Sequence, residues 1–175
     1  MGRVKAHVRE YGEIGNSGIT PLPTEKHYLA IDPGQKGGMC IVRFDGAVME
    51  WIRMPAGTVR ITDWISTVNS KYRNLVMVTE RSQPMPKQGI VGAFRYGAHF
   101  GIFETMAIML QVPYHEVSPL IWKRSLRVSS NKQDSITACR KIFPKVELIP
   151  EGCRTPHDGI AEALLIAQWA RQKNL

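Results

Sequence analysis

At 175 residues, the chain is long enough for one domain with a full hydrophobic core and too short for two comfortable ones. Its 23 Lys and Arg against 15 Asp and Glu give a formal net charge of +8, which favours a polyanionic partner, nucleic acid ahead of a membrane surface. No apolar run approaches a length of about 18–20 residues, which a membrane span needs, so we expect a cytoplasmic protein with no membrane partner. The three cysteines lack C-x-x-C spacing, so we expect reduced thiols.

The first part of the chain separates into an arm and a run of strands. Residues 1–26 mix charges with Gly, Ser and Pro and lack sustained periodicity, so we predict a flexible N-terminal arm before a domain over 27–175. Three strands that form an antiparallel meander are predicted next, over 27–33, 38–44 and 47–54. Apolar residues at helical spacing from Val59 to Val68 then predict a helix before a buried strand that ends at Glu80.

The second part alternates helices with a strand. After a Pro-rich loop, the patterns predict a long helix over 89–111, a fifth strand over 114–118, and two helices over about 131–143 and 158–173. Asn131 is a suitable N-cap for the first of those two helices. Five strands mixed with helices in this order indicate an α/β fold.

Four acidic residues lie at the ends of the predicted elements or within one turn of them. Asp32 and Glu80 each end a buried apolar strand, where a charged group faces the rim of the sheet rather than its core. Asp158 opens the last helix, as an N-cap would, and Glu162 lies one turn later on the same side. Clustered carboxylates repel one another and are costly to remove from water, so their convergence predicts divalent cations and phosphodiester chemistry.

The order of elements and acids resembles the ribonuclease H-like fold, in which helices flank a central mixed five-stranded sheet. Ile31-Asp32-Pro33-Gly34 and His157–Ala167 resemble the opening motif and the closing helix of RuvC-type Holliday junction resolvases, most of all their compact phage and prophage branch. Val117–Lys123 and Asn131-Lys132 resemble the middle motifs of these crossover junction endodeoxyribonucleases. The resemblance covers about residues 28–172 and implies a Mg²⁺-dependent endonuclease that resolves four-way junctions and other branched DNA by paired nicks.

The expected reaction is two-metal hydrolysis, with two Mg²⁺ ions ~3.5–4 Å apart and Mn²⁺ as a substitute. We expect Asp32 to bridge the ions, Glu80 to bind one of them, and Asp158 with Glu162 to hold the other or its water. In many members of the family that this helix resembles, an aspartate stands at the position of Glu162. This difference leaves the metal preference open. Lys132 lies at a helix start, where the macrodipole disfavours a cation, and the resemblance implies that it contacts the scissile phosphate.

A basic segment over 120–145 contains a single acid, Asp134, and is the predicted phosphate-binding face. Six of its side chains are the predicted DNA contacts: Lys123, Arg124, Arg127, Lys132, Arg140 and Lys141. Two accessory roles have a plain alternative each. His157 either orients a water or a phosphate or only caps the last helix, and Met85 either wedges against a base pair at the branch point or is merely packed.

Small residues recur at four-residue steps along the long helix, at Gly89, Ala93, Gly97 and Gly101. Because glycine costs a helix about 1 kcal/mol relative to alanine, the stripe indicates close packing, either against the sheet or across a symmetric helix pair. The resemblance favours a homodimer through the helix over 89–111. Two rival functions remain: a ribonuclease H-like nuclease acting on hybrid or flap substrates, and a junction-binding protein that does not cleave.

Overall fold

The computed structural model describes residues 26–81 and 89–175, so the predicted arm over 1–26 lies outside it apart from Lys26. The described chain forms five strands and five helices in the order β1 (His27–Asp32), β2 (Gly38–Arg43), β3 (Val48–Arg53), α1 (Thr58–Lys71), β4 (Leu75–Glu80), α2 (Ile90–Leu110), β5 (Tyr114–Val117), α3 (Pro119–Ser125), α4 (Lys132–Ile142) and α5 (Asp158–Lys173). Within the described ranges, no helix is long and apolar enough to cross a membrane.

The strands form one mixed sheet in the order β3-β2-β1-β4-β5. β1 pairs antiparallel with β2, and β2 with β3, which gives the predicted meander. β4 lies parallel to β1 on the other side, and β5 lies parallel to β4. The predicted α/β class and the mixed five-stranded sheet are confirmed.

Two hydrophobic cores lie on opposite faces of this sheet. Successive side chains of a strand point to opposite faces, so Tyr28 and Ala30 of β1 pack on one core, while Leu29 and Ile31 pack on the other. The first core is completed by α3, α4 and α5, and the second by α1 and α2. Because both faces are covered, the central strands are continuous apolar runs rather than alternating ones.

Helix α3 was not predicted from the sequence. It has seven residues, of which only Trp122 is buried, while Leu120 and Ile121 are exposed. Such a short element shows no apolar period to recognise. Its start does carry the usual signals, since Ser118 is the N-cap and Pro119 the first helical residue.

Helix α2 presents an apolar surface away from the rest of the described chain. A Cβ added at Gly89, Gly97 or Gly101 would meet no described atom within 4 Å, so packing of these glycines against the sheet is not found. Five large apolar side chains of this helix are 56% to 89% exposed: Ile90, Val91, Phe94, Ile108 and Met109. The glycines and the exposed apolar side chains together give α2 the composition of a surface that proteins bury against a partner.

Candidate active site

Asp32 and Glu80 lie side by side at one edge of the sheet. They are the last residues of the parallel neighbours β1 and β4, whose register brings the two strand ends together. By the alternation along each strand, Asp32 shares a face with Ala30, and Glu80 with Val78. Both carboxyl groups therefore point to the face that α5 covers.

Glycines allow the start of α5 to lie directly on the turn that follows Asp32. Gly159 forms a β-bridge with Gly37, and a Cβ at Gly159 would meet the Lys36 carbonyl oxygen and lie 2.5 Å from the Gly37 Cα. A Cβ at Gly38 would lie 2.9 Å from the Ile160 Cα. Because real Cβ atoms do not come so close, only glycine permits this contact, which carries the first residues of α5 to the edge of the sheet.

The electrostatics show that all four predicted acids converge. Burial raises the pKa of Asp32 well above its usual range, and the carboxylates of Glu80, Glu162 and Asp158 raise it further. The pKa of Glu80 is raised by burial and by Glu162, against a hydrogen bond that lowers it. Since like charges act strongly on one another only when they lie near each other in a poorly solvated site, we refer to these four acids as the carboxylate cluster.

Two lysines provide the positive charge in the cluster. The Lys123 ammonium lies 2.7 Å from Glu162 Oε1, in a pair whose side chains are only 17% and 15% exposed. Lys132 donates to Asp158 Oδ2 from a more exposed position. That hydrogen bond raises the pKa of Lys132, and it lowers the pKa of Asp158 although burial opposes the change.

Two neutral donors also reach the cluster, and the sequence alone did not identify them. Trp122 Nε1 donates to Glu80 Oε2 at 2.7 Å, and Ser135 Oγ donates to Glu162 Oε1 at 2.9 Å. Both donors are wholly buried. The available signals were a tryptophan beside a lysine in a middle motif, and a serine on the apolar face of the helix that starts after Asn131.

Histidines fix the backbone on both sides of the cluster. His157 is the N-cap of α5, where Nδ1 accepts a hydrogen bond from the Ile160 N–H at 3.3 Å. Burial lowers the pKa of His157 and so favours the neutral ring that this bond needs. The cap is His157 and not Asp158, which is the first residue of the helix. His99 of α2 donates from Nδ1 to the Pro33 carbonyl at 3.0 Å, directly after Asp32.

The predicted DNA-contacting side chains fall into two groups. Lys123 turns inward to Glu162, as described above. The other five are exposed on and around α3 and α4: Arg124, Arg127, Lys132, Arg140 and Lys141. Lys132 belongs both to this exposed basic surface and to the carboxylate cluster, because it starts α4 and donates to Asp158. Met85 lies outside the described residues.

The donor set suits hard divalent cations, because four carboxylates supply the oxygen ligands that Mg²⁺ and Mn²⁺ prefer. As placed, no three His, Cys, Asp or Glu side chains in residues 26–81 and 89–175 already form a group that could hold a metal ion. Two of the four acids, Asp158 and Glu162, are ion-paired with lysines. A partly buried Asp32 among like charges fits a site that cations complete.

No protein-family model and no curated protein matches the chain. Among solved structures, the fold is similar to T. thermophilus RuvC in complex with Holliday junction substrate, with a TM-score of 0.62, 19% identity, and coverage of 85% of this chain and 96% of that chain. A structure of Thermus thermophilus RuvC has a TM-score of 0.56 and 16% identity, over 85% of this chain and 96% of that chain. The carboxylate cluster of this protein is therefore built on a RuvC-like fold.

Proposed function

We propose that this protein is a homodimeric, Mg²⁺-dependent endonuclease that resolves four-way junctions and other branched DNA by phosphodiester hydrolysis. The observation that carries the proposal is the electrostatic action of Glu80, Glu162 and Asp158 on a partly buried Asp32 at the edge of a RuvC-like sheet. The solved RuvC structure with a Holliday junction substrate supports the choice of branched DNA.

When bound, two divalent ions supply an activated water and charge stabilisation at the leaving 3′ oxygen. The residues of this chain would hold and orient the reacting groups. Asp32 would contact both ions, Glu80 one of them, and Asp158 with Glu162 the other, while Mn²⁺ would substitute for Mg²⁺. Lys132 would contact the scissile phosphate, a role supported by a side chain that is 71% exposed beside Asp158.

Positive charge around the cluster supports DNA as the substrate. Lys123 and Lys132 pair with acids of the cluster, and four further cations are exposed on α3, α4 and the segment between them: Arg124, Arg127, Arg140 and Lys141. Contacts to phosphates position a duplex without reading its sequence. This surface therefore suits recognition of the shape of branched DNA.

A homodimer through α2 fits both the surface of this helix and the reaction. The glycine stripe lets a second backbone approach closely, and the exposed apolar side chains of α2 would be covered by the same side chains of a partner. Two sites related by a two-fold axis could nick symmetric strands of a junction, which one site could not.

The test is cleavage of a labelled synthetic four-way junction beside a linear duplex, an RNA–DNA hybrid and a flap, in Mg²⁺, Mn²⁺ or Ca²⁺. Wild type is compared with Asp32→Asn and with Asp63→Asn, which changes an exposed acid on α1 in the same way. We expect paired symmetric nicks in the junction with wild type and Asp63→Asn, and none with Asp32→Asn.

The other outcomes identify the rivals. Equal cleavage of hybrid or flap DNA would replace the junction resolvase by another ribonuclease H-like nuclease. Tight junction binding without cleavage in any metal would indicate a binding protein and contradict the proposed chemistry.

A further inference from the structure

Two wholly buried side chains donate hydrogen bonds to the glutamates of the cluster. We infer that Trp122 and Ser135 are positioning residues that orient the carboxylates of Glu80 and Glu162 toward the cations, an inference that rests on the proposed function. Groups that hold the outer oxygen of a metal-binding carboxylate restrict its rotation and strengthen cation binding.

The pattern of acceptor oxygens supports this role. Trp122 donates to Oε2 of Glu80, and no donor in the described chain reaches Oε1 of the same carboxylate. Ser135 and Lys123 both donate to Oε1 of Glu162, and no described donor reaches its Oε2. Each glutamate is thus fixed through one oxygen and keeps the other available to a cation.

The two anchors are linked through one residue. The Lys123 ammonium lies 5.1 Å from the centre of the Trp122 ring, a cation–π distance. Trp122 therefore binds Glu80 directly and also supports the lysine that binds Glu162. Trp122 thus contacts one glutamate of the cluster directly and the other through Lys123.

A buried tryptophan N–H usually finds a hydrogen-bond acceptor whether or not the residue has a role in a binding site. A second buried tryptophan is therefore needed for comparison. Trp169 of α5 provides one, because its buried Nε1 has no hydrogen-bond partner in the described residues. This fold thus contains a buried indole N–H away from any carboxylate. Trp169→Phe makes the same change from indole to phenyl, at a residue whose N–H makes no hydrogen bond to the cluster.

The experiment measures Mn²⁺ binding to the full chain by electron paramagnetic resonance of the free ion, without DNA. Trp122→Phe is paired with Trp169→Phe. Ser135→Ala is paired with Thr137→Ala, which removes a hydroxyl that bonds only to a backbone carbonyl of the same helix. We expect Trp122→Phe and Ser135→Ala each to weaken Mn²⁺ binding by about 10-fold. The two controls should bind as wild type does.

A double variant separates orientation from general destabilisation. Glu162→Asp shortens the side chain by one methylene, so the carboxylate no longer spans the 2.9 Å contact with Ser135. We expect Ser135→Ala to have no further effect on Mn²⁺ affinity once Glu162→Asp is present, because the two changes remove the same contact. Additive losses would overturn the inference. If Trp122→Phe fails to fold, the comparison of Ser135→Ala with and without Glu162→Asp still tests the inference.

The outcomes distinguish the inference from the proposed function. Equal weakening of Mn²⁺ binding by Trp122→Phe and Trp169→Phe would reduce Trp122 to a core residue, while junction cleavage by wild type stood. Mn²⁺ binding that depends on Trp122 and Ser135, in a protein that cuts no junction, would keep the inference and reject the resolvase. A wild type that binds no Mn²⁺ would overturn both.

Discussion

Asp32 carries its carboxyl group in a place that disfavours a negative charge. Burial and three neighbouring carboxylates raise its pKa well above the usual range. An ionised group under such conditions destabilises the fold unless an opposite charge is close. Residues that serve a metal site in this way commonly reduce the stability of the protein that carries them.

Replacing Asp32 by asparagine should therefore separate stability from activity. In EDTA, Asp32→Asn should raise the melting temperature by ~3 °C or more, equivalent to about 1 kcal/mol for a chain of this size. Cleavage should fall by at least ~1000-fold, a loss of about 4 kcal/mol of transition-state stabilisation. Thermal unfolding and junction cleavage measure the two effects. A variant that melts below wild type would contradict the electrostatic account.

The stability of the metal-free protein should also depend on pH through Asp32. Its pKa is higher in the folded than in the unfolded chain, so from about pH 4 upward the folded state binds more protons and the free energy of unfolding falls as pH rises. Asp32→Asn lacks this titration. We expect the stability advantage of Asp32→Asn over wild type to grow between acidic and neutral pH, measured by urea unfolding in EDTA. A constant difference would show that Asp32 does not titrate differently in the two states.

At the scale of elements, the contact between α5 and the turn after β1 decides where the acids of α5 lie. Gly37 and Gly159 meet there in a β-bridge that has no room for a side chain. The rigid helix then carries Asp158 and Glu162 together, since residues four apart lie on one side of a helix. A displacement of this helix would move two of the four acids at once.

Gly159→Ala tests this contact. Its Cβ would overlap the backbone of Lys36 and Gly37, so we expect a loss of about 1–3 kcal/mol in the free energy of unfolding and a marked loss of cleavage. Gly34→Ala is the matched control in the same turn, because its Cβ would lie 3.7 Å from the Gly37 nitrogen, an ordinary van der Waals contact. Urea unfolding and junction cleavage compare the two. Equal stability of both variants would mean that α5 does not depend on this close approach.

At the scale of the whole molecule, the sheet separates the carboxylate cluster from the proposed dimer surface on α2. The acids point to the face covered by α3, α4 and α5, whereas α2 packs on the opposite face. His99 connects the two sides, since it lies on α2 and binds the carbonyl of Pro33. Apart from this contact, the carboxylate cluster and the α2 surface lie on opposite faces of the sheet and can be changed independently.

The oligomeric state should depend on the apolar surface of α2. Phe94→Glu places a charge where the side chain is 76% exposed, and in a dimer this charge would be buried. We expect wild type at twice the chain mass of 19.7 kDa and Phe94→Glu as a monomer. Val59→Glu, at a 71% exposed position on α1, should stay dimeric. Light scattering after size-exclusion chromatography gives the masses, and a monomeric wild type would reject the α2 interface.

Junction binding should weaken with salt in proportion to the phosphate contacts. Arg140→Ala should reduce affinity for junctions of any sequence and lower the slope of log affinity against log salt by about 1. Lys71→Ala removes a cation on α1, on the other face of the sheet, and should leave the slope unchanged. Fluorescence anisotropy in Ca²⁺ measures both. An unchanged slope in Arg140→Ala would remove this arginine from the binding surface.

Much of the fold could be predicted because its signals are local. Strand ends at Asp32 and Glu80 follow from apolar runs, and the boundaries of β1, β4 and α5 differ from prediction by a residue or less. Helix α3 was missed because seven residues carry no period. The contacts of Lys123 were also beyond local patterns, since its position in a basic segment does not reveal that it turns inward to Glu162.

The sequence by itself determined the order of the five strands and of four of the five helices, and the positions of the four acids at or near the ends of these elements. These features depend on the alternation and spacing of neighbouring residues, which any single chain displays. Only the tertiary structure decided which groups hold those acids. Trp122 lies 42 residues from Glu80, and Ser135 lies 27 residues from Glu162, so their hydrogen bonds exist only once the helices have packed on the sheet.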